Sequence, residues 1–233
     1  MNESLIHLYF SNFFKTWAES QPLRHGFHAS SFIIDRESFC YRAQVLQCFF
    51  KQNGQQLSAK TLAIYLEGKV IHQKWQDLFS LAGILESAEK AIFYDRYGIY
   101  FTPDAIIKML NKRFIVEIKS MREKYFLHLK KAPSGAVKQL QFYMHLLAIH
   151  DGIVLIENKN TQDFMIFLEE YNPECVKEPL RRLYVASQYL DNFEHSDALV
   201  EGNCKSQEAS LAKTCSARVA CFATNEEREL LRL

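Results

Sequence analysis

Glycine and proline are scarce in this chain, at 8 and 5 residues in 233. With 48% apolar and 24% charged residues, that scarcity excludes large-scale disorder and indicates an ordinary globular composition. A long hydrophobic run is missing as well. Nothing approaches the roughly 18 consecutive apolar residues of a membrane span. The opening MNESLIHLYFSNFF carries an acid where a signal peptide would carry bases. A protein of the cytoplasm with no membrane partner is therefore expected. An excess of one charge is also absent, since 28 Lys and Arg face 27 Asp and Glu, for a net +1. No global field steers an anion, so any contact with nucleic acid must come from local basic patches. There is no internal repeat, no glycine-rich phosphate loop for ATP and no C-x₂₋₄-C pair of the kind structural zinc sites favour.

What is present fits one main domain with appendages. Leu5, Ile6, Tyr9, Phe10, Phe13, Phe14 and Trp17 recur at helical spacing and predict an amphipathic N-terminal helix that packs on the protein's own core. The pattern SFCYRAQVLQCFF at 38–50 predicts a helix stopped by Gln52-Asn53-Gly54, and a longer helix follows over about 58–85. Strands are expected at 91–94, 99–109 and 113–119 as an antiparallel meander. A basic, aromatic loop over 121–134 comes next, then a helix at 136–149, strands at 152–157 and 164–168, and a helix over 173–189. This order predicts an α/β fold with a mixed central sheet. From Asp191 onward the apolar periodicity fades, and a tail that cannot bury much surface by itself, and that a cluster would hold down, is expected.

Two stretches carry the chemistry. Glu117 and Lys119 stand two apart on a predicted strand and so share a face, with Ile118 turned to the other. Asp104, after Pro103 on the preceding strand, comes within reach of that face if the two pair antiparallel. Hard divalent cations select carboxylate oxygens, and phosphodiester hydrolysis needs such a cation to polarise the phosphoryl group. Asp104, Glu117 and the Ile118 carbonyl can bind it, and Lys119 can orient water or stabilise the transition state. Gln139 and Tyr143, four apart on the following helix, face one side together. E-x-K on a strand is common by chance as a cross-strand ion pair, so the ordered set matters more than any member.

Six cysteines in a reducing compartment do not make structural disulfides. Cys204, Cys215 and Cys221 crowd the polar tail, where apolar packing does not explain them and a metal would. Cys48 and Cys175, in apolar helical surroundings, read as ordinary buried thiols. Arg122, Lys124, Lys130 and Lys131, interleaved with Tyr125, Phe126 and His128, form a candidate contact for phosphates and unstacked bases.

HASSF at 28–32, Cys40-Tyr41-Arg42, GKVIHQKW at 68–75, FTPDAII at 101–107, FIVEIKSM at 114–121 and QLQFYMHLL at 139–147 together resemble the RecB-like PD-(D/E)XK nucleases. The likeness runs from residue 28 to 221. It is strongest to the iron–sulfur-containing CRISPR-associated exonucleases of the fourth Cas family and their phage-borne relatives. The resemblance implies a restriction-endonuclease-like α/β core with helices flanking a mixed sheet. It implies that His72 joins Asp104, Glu117 and Ile118 as metal ligands, and that Asp104, Glu117, Lys119, Gln139 and Tyr143 are catalytic. It also implies that Cys40, Cys204, Cys215 and Cys221 hold a [4Fe–4S] cluster. The domains expected on this basis are an N-terminal helical region at 1–57 contributing one cluster cysteine, a nuclease core at 58–190, and a tail at 191–233 closing the cluster.

The leading expectation is a Mg²⁺- or Mn²⁺-dependent exonuclease acting on single-stranded DNA or DNA ends, with Arg42, Lys124, Lys130 and Lys131 contacting DNA. End-processing for CRISPR spacer acquisition is an alternative. A reading of another class is a non-catalytic iron–sulfur DNA-binding or assembly module. No oligomer interface and no surface for recombination or CRISPR partner proteins is legible.

Overall fold

The computed structural model describes Leu8, Asn12, Thr16 and residues 26–50, 59–196 and 199–232. The apolar positions of the expected N-terminal helix lie outside them. In chain order the elements are β1 (Phe27–His28), α1 (Tyr41–Phe49), α2 (Ala59–Leu81), β2 (Leu85–Ala88), β3 (Ile92–Tyr94), β4 (Ile99–Phe101), β5 (Ala105–Met109), β6 (Lys112–Met121), α3 (Glu123–Phe126), α4 (Ser134–Leu147), β7 (Asp151–Asn158), β8 (Phe164–Glu170), α5 (Lys177–Ser196), α6 (Ser210–Lys213), α7 (Arg218–Phe222) and α8 (Asn225–Leu231). Short 3₁₀ turns at Ala29–Ser31, Asp95–Tyr97 and Pro173–Val176 complete the set. No helix among the described residues is long and apolar enough to cross a membrane. The chain divides into two compact units, one of Met1–Phe27, Ser38–Glu67 and Ala186–Leu233, the other of His28–Glu37 and Gly68–Val185.

The second unit is built on a five-stranded sheet of order β2-β5-β6-β7-β8. Strands β6 and β7 run parallel and the other neighbours antiparallel, so the sheet is mixed, as expected. A parallel pair needs a crossover, and α4 lies in that connection. Phe114, Val116 and Ile118 of β6, Ala105 and Ile107 of β5, and Ile153 and Leu155 of β7 form one apolar face, packed against Ile71 and Trp75 of α2. On the other face α4 comes close, for a Cβ on Gly152 of β7 would stand 2.9 Å from both Leu140 Cδ2 and Met144 Sδ. Strands covered on both sides read as unbroken apolar runs, which is why FIV-I and GIVLI are legible as strands. Each fully buried aliphatic side chain here contributes about 1.5–3 kcal/mol.

Two expectations are corrected. The single strand expected at 99–109 is two strands in two sheets: β4 lies in a three-stranded sheet with β1 and β3, while β5 joins the five-stranded one. The break falls at Thr102-Pro103-Asp104 because Pro103 has no N–H for the ladder, so the simple meander is lost. The long helix ends at Leu81 rather than 85. Gly83 adopts φ 68° there, the 79–84 turn closes with Ile84 N–H donating to the Phe79 carbonyl at 3.0 Å, and Leu85 starts β2. The tail packs on its neighbours in the first unit: Ala212, Ala217 and Ala220 are enclosed. In the first unit Ala217 and Ala220 pack with Val45, Leu46, Phe50 and Phe193. Helix α8 begins at a capping box, with Thr224 Oγ1 accepting from Glu227 N and Glu227 Oε2 accepting from Thr224 N. Small alanines permit close helix approach while leaving little hydrophobic periodicity to read.

Gly152→Val should lower stability by about 1–3 kcal/mol through overpacking against Leu140 and Met144. Gly152→Ala should lower it by less, since the ends of those side chains can shift. Urea midpoints unchanged by Gly152→Val would contradict the close α4–β7 contact.

Candidate active site and cysteine group

The break before β5 shapes the site. Ala105 pairs with Val116, so continuing the antiparallel register sets Asp104 across from Glu117 and Pro103 across from Ile118. With no proline amide to offer, the chain leaves the ladder, and the Asp104 side chain takes the next strand position. Its Oδ2 accepts a hydrogen bond from the Ile118 N–H at 2.7 Å. Ile118 itself packs into the α2-side core, so Glu117 and Lys119 point to the opposite face.

Glu117 is fully enclosed, at 0% exposure. Lys119 Nζ lies 2.5 Å from Glu117 Oε1 as an ion pair, yet neither Glu117 oxygen has a hydrogen bond of good geometry. Burial first, then the charge of Asp104, pushes the Glu117 carboxyl up to about 8 against the pull of Lys119. Asp104 is raised too, by burial above all, although the charge on His72, the Ile118 amide and Lys119 oppose it. Burial lowers the Lys119 ammonium, but the Glu117 charge and contact, with Asp104 behind them, more than offset this and hold it charged.

Helix α2 supplies the next layer. His72 Nδ1 stands 3.4 Å from Asp104 Oδ1 and 3.5 Å from Glu89 Oε1. Gln76, one turn on, donates from Nε2 to the Asp104 carbonyl at 2.9 Å. On α4, Gln139 Nε2 donates to Tyr143 Oη at 3.2 Å. The Tyr143 ring is buried 5.4 Å from that of Phe101. Burial, then the negative charge of Glu117, drives the Tyr143 hydroxyl upward, so it stays a neutral donor. The sequence-predicted His72, Asp104, Glu117, Lys119, Gln139 and Tyr143 are thus neighbours in one unit. Glu89 and Gln76 were missed. Gln76 carried the signal of standing four residues after His72, while Glu89 sits in a turn outside any pattern.

Among the described residues, no three or more His, Cys, Asp or Glu already stand in metal-binding geometry. The donor chemistry nevertheless suits a hard cation. Two buried carboxylates repel each other, and the Glu117 oxygens lack the hydrogen bonds that buried polar atoms normally have.

In the first unit Cys204 and Cys215 of the tail feel the charges of Cys40 and Cys221, although no cysteine group placed to hold a metal ion is found among the described residues. The Cys215 thiol is raised by burial and by the neighbouring Cys40, Cys221 and Cys204, against a bond from the Ala217 backbone. Cys204 is raised by burial, then by Cys40 and Cys221. Arg42 belongs to this unit, where Nε donates to the Val200 carbonyl at 2.6 Å and the guanidinium lies 4.0 Å from Cys221 Sγ. Lys124, Lys130 and Lys131 are exposed in the second unit just past β6. There Lys124 Nζ sits 4.7 Å over the exposed Tyr125 ring, and buried Phe126 anchors α3. Cys175 is exposed, which corrects the expectation of a buried thiol, because Pro173–Val176 is a surface 3₁₀ turn. Cys48 is partly buried, and burial with the charge of Glu194 pushes its thiol up to about 12.

No protein-family model matches the chain, and no curated protein sequence does. Solved structures do match. LHK-Exo, an alkaline exonuclease from Laribacter hongkongensis, is 12% identical with a TM-score of 0.53, over 80% of this chain and 97% of that one. LHK-Exo in complex with dAMP is 13% identical with a TM-score of 0.53, over 73% of this chain and 90% of that one. The structure of SSO0001 is 16% identical with a TM-score of 0.50, over 79% and 86% of the two chains. The fold is one that an alkaline exonuclease also has. At these identities the likeness is of fold, and it meets the expected nuclease-type α/β architecture in that coarse form.

The Glu117 shift has a stability consequence whose sign is definite. Below an unfolded value of 4.5 both states are protonated. As pH rises from there to about 8, the unfolded chain ionises while the folded one keeps its proton, so stability falls. Asp104 acts in the same direction. In metal-free protein, Tm should decline from about pH 5 to about pH 9, and Glu117→Gln should flatten that decline and raise Tm near pH 8 by a few degrees, at about 2–4 °C per kcal/mol. An identical slope in the variant would contradict the buried-pair description.

Proposed function

We propose that the protein is a metal-dependent DNA nuclease of the PD-(D/E)XK, RecB-like type, acting as an exonuclease on single-stranded DNA or DNA ends. The observation that carries the reading is the enclosed Asp104–Glu117 pair, with Glu117 oxygens lacking hydrogen bonds and Lys119 alongside. The fold shared with an alkaline exonuclease supports it, as does the dAMP complex of that same exonuclease, a nucleotide-bound relative in fold.

His72, Asp104, Glu117 and the Ile118 carbonyl hold Mg²⁺ or Mn²⁺. Bound there, the cation supplies a Lewis acid for the phosphoryl oxygen and brings water within reach of deprotonation near neutral pH. Lys119 stays charged beside Glu117 and donates to the attacking water or to a non-bridging phosphate oxygen, where negative charge develops. Tyr143, neutral and oriented by Gln139, fixes a phosphate oxygen or the Lys119 ammonium. The Asp104 carboxylate keeps its place because the Ile118 amide and the Gln76 contact to its carbonyl restrain it. Lys124, Lys130 and Lys131 take phosphates, and Tyr125 offers a face for an unstacked base. The unit containing His28–Glu37 and Gly68–Val185 is the nuclease core. In the other unit, Cys40, Cys204, Cys215 and Cys221 would hold a [4Fe–4S] cluster; Cys40 and Cys221 lie near enough to raise the Cys204 and Cys215 thiols, which supports that grouping.

Asp104→Ala and Lys119→Ala should each reduce Mg²⁺- or Mn²⁺-dependent cleavage of labelled DNA at least about 100-fold while leaving the fold and DNA binding nearly intact. EDTA should abolish the wild-type activity. Cleavage persisting in both variants would remove the proposed site. Protein purified without oxygen should be brown, with broad visible absorption that bleaches on reduction and disappears when any of the four cysteines becomes serine. A colourless protein with stoichiometric zinc would refute the cluster.

A further inference from the structure

We propose that the free edge of β8 is the interface of a symmetric dimer, in which this strand pairs antiparallel with β8 of a second copy of the chain. The assignment is independent of the nuclease reading. The five-stranded sheet has two edges, β2 and β8. An edge strand presents main-chain groups that invite another strand, and proteins blunt it with shortness, charge, bulges or proline. Strand β2 carries three of these devices: it has four residues, its pairing with β5 slips between Leu85 and Ser87, and Glu86 is ion-paired to Arg113. Strand β8 runs for seven residues, FMIFLEE, in unbroken register with β7 and without proline or lysine.

Its side chains are open along one face. Phe164, Ile166 and Leu168 are 53, 51 and 71% exposed, although the residues they oppose on β7, Glu157, Leu155 and Ile153, are buried. The main chain of the same three residues faces outward. Asn158 N–H donates to the Asp163 carbonyl at 2.8 Å, and Tyr171 N–H to the His150 carbonyl at 2.9 Å. Hydrogen-bonded pairs alternate along an antiparallel ladder, so Met165, Phe167 and Glu169 bond to β7, while the N–H and C=O of Phe164, Ile166 and Leu168 point away from it. Glu170 ends the open row, its carbonyl accepting from Gln141 Nε2 at 2.8 Å. Outward main-chain groups and exposed apolar side chains thus coincide on three residues, as strand addition requires.

The strand is complementary to itself. A register centred on Phe167 lays its whole length against its copy, with Ile166 and Leu168 opposite Leu168 and Ile166 of the second copy in hydrogen-bonded pairs. Phe164 then faces Glu170, and Met165 faces Glu169, so no carboxylate opposes another. A register centred on Ile166 would set Asp163 against Glu169, and like charges directly opposite are destabilising. In the favoured register, three apolar side chains from each copy form one patch over the joint. Two-fold pairing consumes the β8 edge of both chains, so the assembly closes at two copies, and the two five-stranded sheets become one.

Sedimentation velocity of the full-length protein across the micromolar range tests the pairing. Wild type should move from the mass of one chain to that of two as concentration rises, with no larger species. Leu168→Lys should weaken association at least about 100-fold with an unchanged Tm, because in the single chain this side chain lies in solvent. Ile166→Pro removes an outward N–H that β7 does not use, so it should be folded and monomeric. Phe93→Lys, exposed on the other sheet, should dimerise as wild type does. A wild type that stays monomeric, or that grows beyond two copies, would overturn the proposal. So would dimers undiminished in Leu168→Lys or in a folded Ile166→Pro.

Discussion

Mutual repulsion between Asp104 and Glu117 is the constraint around which the second unit is arranged. Two carboxylates sit side by side, one just before β5 and one on β6, the central strand of an apolar sheet, the latter with no access to water. Removing a charge from water is expensive, and a like-charged neighbour adds to the expense. The fold meets this with partial compensation: an ammonium two residues along the strand, a backbone amide on Asp104 Oδ2, and an imidazole at Asp104 Oδ1. Under the proposed metal-dependent reading, the Glu117 oxygens, which have only the Lys119 ammonium beside them, are where a divalent cation would gain the most.

That pairing depends on a backbone event of three residues. Pro103 ends the ladder, β4 and β5 enter different sheets, and the chain turns so that Asp104 lies beside β6 instead of continuing along it. Had the strand run on from Ile99 to Met109, the Asp104 carbonyl and amide would be engaged in pairing and its side chain would alternate with its neighbours. The break between β4 and β5 and the placement of the Asp104 carboxylate beside β6 thus have one origin. Helix α2 brings His72 and Gln76 to Asp104, while α4, held tightly over Gly152, carries Gln139 and Tyr143.

Much of this was legible in the sequence where burial imposes a period. Strands β6 and β7 are enclosed on both faces and read as apolar runs, and the acid and lysine of β6 stand out against them. Gln139 and Tyr143 share a helix face, and the structure brings them into contact as that spacing requires. The break at 102–104 was missed because alternating apolar residues on either side masked the proline. Glu89 left no trace, since a single acid in a turn has no period and its relevance comes from tertiary approach to His72. The packing of the tail leaves little signal in the sequence because alanine-rich helices bury backbone and methyl groups without a strong hydrophobic pattern. The cysteines were noticed for their odd placement, but only folding sets Cys40 beside residues more than 160 positions away.

Calorimetric titration of Mn²⁺ into metal-free protein near pH 7, repeated in buffers of different ionisation enthalpy, counts protons released on binding. A carboxyl held protonated by burial and by the charge of Asp104 must ionise to accept a cation, so about one proton should leave per Mn²⁺ bound, and that release should vanish in Glu117→Gln. Tight binding with no proton released, or a release identical in the variant, would contradict a cation site built on the repulsion between Asp104 and Glu117.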